Sequence, residues 1–227
     1  MEDDYADYKP EAAYDGGSQV YDKGMHLVKP GDELNVTKKD PALKNIVAGM
    51  GWDFRRFDVD PPDLDMCVLL LDKDGRTRMD EDFVFYNNPM GPDGTVRHLG
   101  DSRTGAGDGD DEQIEISLAT LPFEVMTICF VLSLYNLDHG MEGFSFDLVR
   151  NVYFRLVNQD TDHELFRFVL NEDILPHDGT AVLIGQLERM GQEWIFHGKG
   201  ERVKGGLAKF AAERGILITQ NQQTGNE

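Results

Sequence analysis

The sequence predicts an all-β-dominated fold, a two-sheet β-sandwich with one or two short peripheral helices. Apolar and polar residues alternate along several segments, the clearest being residues 126–135, 114–118 and 152–156. This two-residue period is typical of strands that turn one face to a core. Turn sequences such as Asp74-Gly75 and Asp178-Gly179 separate the segments. Many short strands with few helices indicate two packed sheets.

The individual elements follow from local patterns. Residues 66–71 are uniformly apolar, which predicts a strand covered on both faces. Alternation then predicts the strands at 114–118, 126–135 and 152–156, and apolar residues near 182–184 and 194–196 predict two more. Residues 206–215 have a helical pattern that ends at Gly215, a residue favoured just after a helix. A second short helix is predicted at 141–150.

The chain divides into one domain and two tails. Residues 1–24 hold seven acids and two lysines without periodicity, so we predict an acidic disordered tail. Residues 25–216 form the predicted β-sandwich domain, and residues 217–227 form a polar C-terminal tail. No repeat of solenoid length is present.

Composition limits the class of partner. The 227 residues have a formal net charge of −20, which argues against nucleic acid because phosphate backbones require Lys and Arg surfaces. The charge fits metal cations or basic partners, and solubility alone is the simpler explanation. Cys67 and Cys129 lie in apolar runs and are interpreted as reduced core residues. Without a signal peptide or a membrane-spanning run, we expect a cytoplasmic protein.

The densest acidic segment is GDGDDE, residues 107–112, with four acids in six positions. Two residues apart in an extended chain, Asp63 and Asp65 point to the same side, as do Asp108 and Asp110. Carboxylate oxygens in a glycine-rich loop suit Ca²⁺ better than Mg²⁺, while scattered histidines disfavour zinc. The spacing does not fit an EF-hand. On spacing alone, a solvated charged loop remains the alternative.

Enzyme signatures are missing from the sequence. It contains no H-E-x-x-H motif, no phosphate loop ending in G-K-[ST] and no nucleophile elbow. Paired carboxylates are able to hydrolyse glycosides, but this chain has too many acids to single out one pair. We therefore expect no catalytic residues and no enzymatic activity.

Several strings in this order resemble the TerD family of bacterial tellurium-resistance and stress-response proteins. They include GMGWD at 49–53, DLD at 63–65, DFVFYNNP at 82–89, the run from PDGT to GDGDDEQIEI at 92–116, and GQLERMGQEWIF at 185–196. The resemblance covers roughly residues 25–216. The chain departs from the family pattern at Met66, Cys67 and Val68, where small residues are usual, and in the longer segment before DLD.

The resemblance implies a β-sandwich that binds Ca²⁺ in an acidic loop cluster and has no recognised catalytic activity. The ligands carried over are Asp63, Asp65, Asn87, Asp101, Asp108, Asp110, Asp111 and Glu112. Asp53 is a less secure ligand, and Trp52 and Phe85 are interpreted as core residues. The implied partners are other stress-response proteins of the same system, some of them membrane-bound, which would place the protein in the cytoplasm or at the inner membrane's periphery.

Three function classes stay open at this point. The first is a non-enzymatic, Ca²⁺-dependent interaction scaffold in a tellurite-resistance-type stress response. The second is a peripheral membrane binder in which Ca²⁺ bridges acidic loops to anionic headgroups. The third is a metal-dependent hydrolase that uses the acids directly.

Overall fold

A computed structural model describes residues 25–55, 63–101, 109–135, 146–171, 173–177 and 179–216. These residues form two six-stranded sheets, which confirms the predicted β-sandwich. Sheet one has the strand order β1-β10-β9-β3-β7-β6, and sheet two has the order β2-β12-β11-β8-β4-β5. Except for the parallel pair of β1 and β10, all strand pairs described are antiparallel.

The strands of sheet one are β1 (Leu27–Val28), β3 (Asn45–Phe54), β6 (Val96–Asp101), β7 (Glu112–Ser117), β9 (Val149–Asn158) and β10 (His163–Val169). Those of sheet two are β2 (Glu33–Asn35), β4 (Asp63–Leu71), β5 (Phe83–Val84), β8 (Thr127–Tyr135), β11 (Ala181–Met190) and β12 (Glu193–Arg202). The α-helices described are α1 (Val36–Lys39) and α2 (Gly206–Ala212), and short 3₁₀ turns occupy Asp80–Asp82, Pro92–Gly94 and Phe146–Leu148.

The main core lies between the two sheets. Alternate residues of every long strand point inward, and four aromatic rings meet near the middle. Phe130 and Phe154 have ring centroids 5.0 Å apart, and Phe166 and Phe196 have centroids 4.3 Å apart. Such ring contacts add stabilisation beyond the burial of apolar area. The alternation seen in the sequence therefore corresponds to the inner faces of the sheets.

A second, smaller core covers the outer face of sheet two. Phe210 and Ala211 of α2 pack with Cys67, Leu69 and other outward-facing residues of β4 and β8. This explains why β4 is apolar from Met66 to Leu71 and confirms the prediction of a strand covered on both faces. Both cysteines are buried and free, as predicted.

The two predicted helices have different outcomes. The helix at the C-terminal end is present as α2, and Gly215 follows it with a φ of 107°. The helix predicted at 141–150 is wrong in its described part. Phe146–Leu148 is a 3₁₀ turn, and Val149 already begins β9. Residues 141–145 and both predicted tails lie outside the described residues, and the domain boundaries stay a prediction.

The sandwich has two distinct ends. The end that we call the acidic corner contains the start of β4, the end of β6 and the start of β7. The opposite end contains the connection from β7 to β8 and the turn from β11 to β12. No helix in the part of the chain that the structure describes is long and apolar enough to cross a bilayer.

Candidate functional site

The backbone brings four of the predicted ligand positions to the acidic corner. Asp63 and Asp65 lie at the start of β4, Asp101 ends β6, and Glu112 begins β7. Asp101 and Glu112 are paired across β6 and β7. The backbone N–H of Met66 donates to the Glu112 carboxylate, so this side chain links the two sheets. Sheet pairing and one side-chain contact thus place these positions together. Asp108 lies outside the described residues.

The Glu112 carboxylate takes the place of a missing strand partner. Strand β5 pairs with Val68 and Leu69 of β4 but does not extend to Met66. A buried N–H without an acceptor is costly, and the Glu112 carboxylate satisfies this one. Glu112 is only 1% exposed.

His98 lies behind Glu112 in the interior. The N–H of Gly100 donates to Nδ1 of His98 over 3.1 Å, so in neutral His98 the proton is on Nε2. Nε2 faces Oε1 of Glu112 at 3.8 Å. A proton-bearing nitrogen next to a carboxylate is electrostatically favourable for the negative charge there.

Asp65 lies on the outer face of sheet two. Its neighbours Leu64 and Met66 point into the main core, whereas Asp65 shares the opposite face with Cys67. It is paired with Ser133 of β8 and is 3% exposed. Burial raises the pKa of the Cys67 thiol well above its usual range, and the charges of Asp65 and Glu112 raise it further. The electrostatic influence of both carboxylates thus reaches this thiol.

Asp111 binds the backbone of β3. Its Oδ2 accepts a hydrogen bond of 2.9 Å from the N–H of Trp52. Burial raises the pKa of Asp111, the hydrogen bond from Trp52 opposes this shift, and the charges of Asp53 and Asp110 add to it. The indole of Trp52 lies in the main core, consistent with its interpretation as a core residue.

Asp110 points to the outer face of sheet one, away from Glu112. Arg155 of β9 forms a two-pronged ion pair with it, with Nε at 2.7 Å from Oδ1 and Nη2 at 2.9 Å from Oδ2. The hydroxyl of Tyr153 donates to Oδ1 over 3.1 Å, and the Gln113 amide donates to Oδ2 over 3.0 Å. Burial by itself lowers the pKa of Arg155, but its contacts with Asp110 and Glu164 outweigh burial and raise it.

Asn87 is exposed on the connection that follows β5. Since β5 runs antiparallel to β4, the chain leaving β5 heads toward the start of β4. The next residue, Asn88, closes this turn by donating to the carbonyl of Phe83 over 2.8 Å. Phe85 is partly buried and stacks on Phe83 with ring centroids 4.6 Å apart.

The family model described as the TerD domain matches residues 24–213. The chain belongs to the TerD family. It is 42% identical over 186 residues to a tellurium resistance protein TerD of Serratia marcescens, covering 82% of this chain and 95% of that protein. It is 38% identical over 189 residues to general stress protein 16U of Bacillus subtilis, covering 83% of this chain and 96% of that protein.

Solved structures show the same fold. A crystal structure of a homologue of telluride resistance protein (TerD) from Streptomyces coelicolor matches with a TM-score of 0.60. The sequences are 22% identical, and the match covers 78% of this chain and all of that one. At this identity the likeness shows the fold alone.

The three described acids of GDGDDE point in different directions. Asp110 meets sheet one on its outer face, Asp111 meets the backbone of β3, and Glu112 meets β4. Within the described ranges, no group of three or more His, Cys, Asp or Glu side chains is arranged to hold a metal ion. The eight-residue ligand set stays a prediction, since the side chains of Asp63 and Asp101 lie outside the described part.

Sequence reasoning missed several residues that shape this region. Arg155 and Tyr153 hold Asp110, and His98 lies behind Glu112. Gly49 and Gly51 of the string GMGWD leave space for the Asp110 carboxylate and the Tyr153 hydroxyl. The available signal was the alternation of these two glycines on one face of a strand, where glycine often marks a close approach.

Proposed function

We propose that the chain is a non-enzymatic Ca²⁺-binding module of a bacterial tellurite-resistance-type stress response and acts as a metal-dependent interaction scaffold. The observation that carries the proposal is the convergence of Asp63, Asp65, Asp101 and Glu112 positions at one corner of the sandwich. Acids gathered at one corner of a chain with a net charge of −20 repel each other, and a bound cation would relieve that repulsion.

The donor chemistry at the acidic corner fits calcium. The side chains there are mainly carboxylates, and hard oxygen donors with adaptable geometry are what Ca²⁺ prefers. His98 accepts a hydrogen bond at Nδ1, and the buried Cys67 has a raised pKa, so both suit a structural role better than that of a soft-metal ligand. Bound calcium would supply positive charge, while the chain's own residues orient the loop and exclude water.

Calorimetric titration with Ca²⁺ and with Mg²⁺ tests the proposal. A site bound at a hundredfold excess of ion over Kd stabilises the fold by about 2.7 kcal/mol. For a domain of this size, that corresponds to a Tm about 5–10 °C higher in calcium than in chelator. No heat of binding together with the same Tm in both conditions would contradict the proposal.

The scaffold part of the proposal states that the protein binds other proteins of the same stress response. The names of the relatives refer to tellurium resistance and general stress, which supports partners from the same response, including membrane-bound ones. Pull-down of partners from a TerD-containing bacterium, in calcium and in chelator, tests this part. We expect capture only in calcium, and equal capture in both states would contradict a metal-dependent scaffold.

A second candidate function is a peripheral membrane binder with Ca²⁺ as the bridge. Leu99 favours it, because this side chain is 44% exposed and lies two residues before Asp101 at the acidic corner. An apolar side chain next to a cation site is able to enter a headgroup layer. Sedimentation with phosphatidylserine vesicles should then require calcium and weaken in Leu99→Ser. Failure of the wild-type protein to sediment in calcium would exclude this function.

A further inference from the structure

The Asp110 carboxylate occupies a site of its own on the outer face of sheet one. Its side chain is fully buried and receives two hydrogen bonds from Arg155, one from Gln113 and a longer one from the Tyr153 hydroxyl, which shares its single proton with the Gly109 carbonyl. We propose that Asp110 is a structural anchor of the acidic loop, that Arg155 is the positioning residue that holds it, and that Asp110 is not a calcium ligand. This inference rests on the proposed function and narrows its ligand set.

The first argument is the capacity of the carboxylate. An ionised carboxylate has about four acceptor positions; three N–H donors, two from Arg155 and one from Gln113, already use three of them, and the Tyr153 hydroxyl faces the fourth. The Arg155 contact is the forked, charge-assisted kind, which is the strongest of the side-chain hydrogen bonds. A calcium ion at Asp110 would have to displace these donors and leave the Arg155 guanidinium, 27% exposed, beside a second cation.

The second argument is that the backbone is shaped around this carboxylate. A Cβ added to Gly49 would lie 2.1 Å from Oδ2 of Asp110, so only glycine leaves the carboxylate enough space. The register of sheet one places Gly49 opposite Arg155 on β9 and opposite Gln113 on β7. Three neighbouring strands therefore each contribute one part of the site.

The third argument is that Arg155 is itself held in place. Its Nη1 lies 3.2 Å from Oε2 of Glu164, and Glu164 also binds Arg167 at 2.8 Å. The Arg167 guanidinium lies 4.3 Å above the ring of Tyr153, whose hydroxyl shares its proton between the Gly109 carbonyl at 2.8 Å and Oδ1 of Asp110 at 3.1 Å. The network returns to the loop at Gly109, so it fixes the backbone at two adjacent residues.

The consequence is that Asp110 has a different role from Asp111 and Glu112 in GDGDDE. Asp110 fixes the end of the loop to sheet one, and this fixation orients Asp111 and Glu112 toward β3 and β4. The other residues of the predicted ligand set do not anchor the loop to sheet one, and these residues hold the calcium ion. Arg155 affects calcium only through Asp110.

The test begins in chelator with a double-mutant cycle of Asp110→Asn, Arg155→Gln and the double variant. We expect each single variant to lower Tm by about 10 °C, because breaking a buried ion pair is strongly destabilising. The double variant should have a Tm no lower than that of the less stable single variant, since both substitutions remove the same interaction. If the losses of Tm caused by the two substitutions were additive, Asp110 and Arg155 would not act as one anchor. This arm gives an answer even if the wild-type protein binds no calcium.

The second arm measures calcium affinity, where the two roles of Asp110 predict opposite signs. If Asp110 is the anchor, Arg155→Gln loosens the loop and weakens calcium binding by about tenfold, as outer-layer partners of metal ligands do. If Asp110 is a ligand, the same variant removes a competing cation and tightens binding. The matched control is Arg97→Gln, which removes a positive charge on the same sheet, from an exposed pair with Glu115. Tighter binding by Arg155→Gln than by Arg97→Gln would overturn the proposal.

Saturating calcium provides a further distinction. The coupling between positions 110 and 155 should persist in calcium if the ion pair survives, and its disappearance there would show that the ion takes Asp110. Absence of any calcium binding by the wild-type protein would refute the proposed function and the statement that the remaining acids hold calcium, and the chelator cycle would still decide whether Asp110 is an anchor.

Gly49→Ala tests the site without altering a charge. The added methyl group should expel the Asp110 carboxylate and destabilise the wild-type protein, yet it should have little effect in an Asp110→Ala background, where the space is free. Equal destabilisation in both backgrounds would contradict a carboxylate seated on Gly49. This cycle also serves if Arg155→Gln does not fold.

Discussion

At the scale of single residues, position in a motif does not determine the role of a side chain. Asp110, Asp111 and Glu112 are consecutive, yet their carboxylates bind an outer surface, the backbone of β3 and the backbone of β4. Alternation along an extended chain predicts opposite directions for neighbours, but not what lies there. Arg155 is 45 residues from Asp110, and the pairing of β3 with both β7 and β9 brings the two residues close. The sequence therefore identified the acidic segment but not its contacts.

The first prediction concerns the buried ion pair between Asp82 and Arg78. The Asp82 side chain is fully buried and accepts from Nη2 of Arg78 at 2.6 Å and from Nε at 3.0 Å. Asp82→Asn should lower the free energy of unfolding by about 3 kcal/mol, because the Arg78 guanidinium loses its buried counter-charge and keeps only the more distant, exposed Glu124. Urea unfolding measures this. Asp74→Asn in the exposed pair with Lys73 is the control and should change stability very little. Similar losses in both variants would contradict the prediction.

The second prediction concerns stability at alkaline pH. Burial raises the pKa of the Cys129 thiol to about 11 from 9.0. Since the unfolded chain releases this proton at lower pH than the folded one, the thiol's contribution to stability is complete below pH 9 and decreases as pH rises toward 11. Urea unfolding of Cys129→Ala should therefore show a shallower loss of stability over this range. An unchanged slope would show that Cys129 does not titrate in the unfolding equilibrium.

At the scale of elements, strands with several alternating residues could be predicted and shorter ones could not. The predicted segment 126–135 corresponds closely to β8, and 66–71 lies within β4. Strands β1, β2 and β5 have only two or three residues, too few to establish a period. In residues 146–150, the described part of the helix predicted at 141–150, the prediction was wrong because the alternation of β9 begins at Val149, where a β-branched residue favours extended backbone. Strand pairing depends on contacts between distant segments, which no local pattern contains.

The third prediction concerns helix α2 as the cover of sheet two. Phe210 is buried against Cys67, Leu69 and Val131, and the Arg214 guanidinium lies 3.4 Å from its ring centroid. Phe210→Ala should cost about 3 kcal/mol, since it leaves a cavity under the helix. Limited proteolysis and urea unfolding should both detect the loosened helix. Lys209→Ala is the control, because this side chain is 59% exposed. A Phe210→Ala protein as stable and as protease-resistant as the control would refute this role for α2.

At the scale of the whole molecule, the two ends of the sandwich have different chemistry. Acids gather at one corner, whereas the opposite end exposes Phe123 and Met190 at 79% and 55%. Arg189 joins the two loops of that end by donating to the carbonyl of Pro122 over 3.2 Å. The acidic segment was visible in the sequence, but its separation from Phe123 and Met190 depends on the topology.

The fourth prediction concerns ionic strength. Repulsion within a chain of charge −20 opposes the folded state, and dissolved salt screens exposed charges over about 10 Å at 0.1 M. In chelator, NaCl should raise Tm, and the increase should be smaller in calcium, where bound ions already neutralise part of the charge. Differential scanning calorimetry at several salt concentrations measures both series. The uncharged osmolyte sucrose is the control and should act equally in both. Equal salt effects with and without calcium would contradict the prediction.

The contact between Glu112 and the Met66 N–H makes one proton a reporter for the whole corner. Deuterium replaces this proton only when the carboxylate of one sheet separates from the strand of the other. Its exchange rate therefore measures how often the two halves of the sandwich part at that edge. An ion that recruits the Glu112 oxygens would accelerate the exchange, whereas an ion held by neighbouring groups would slow it.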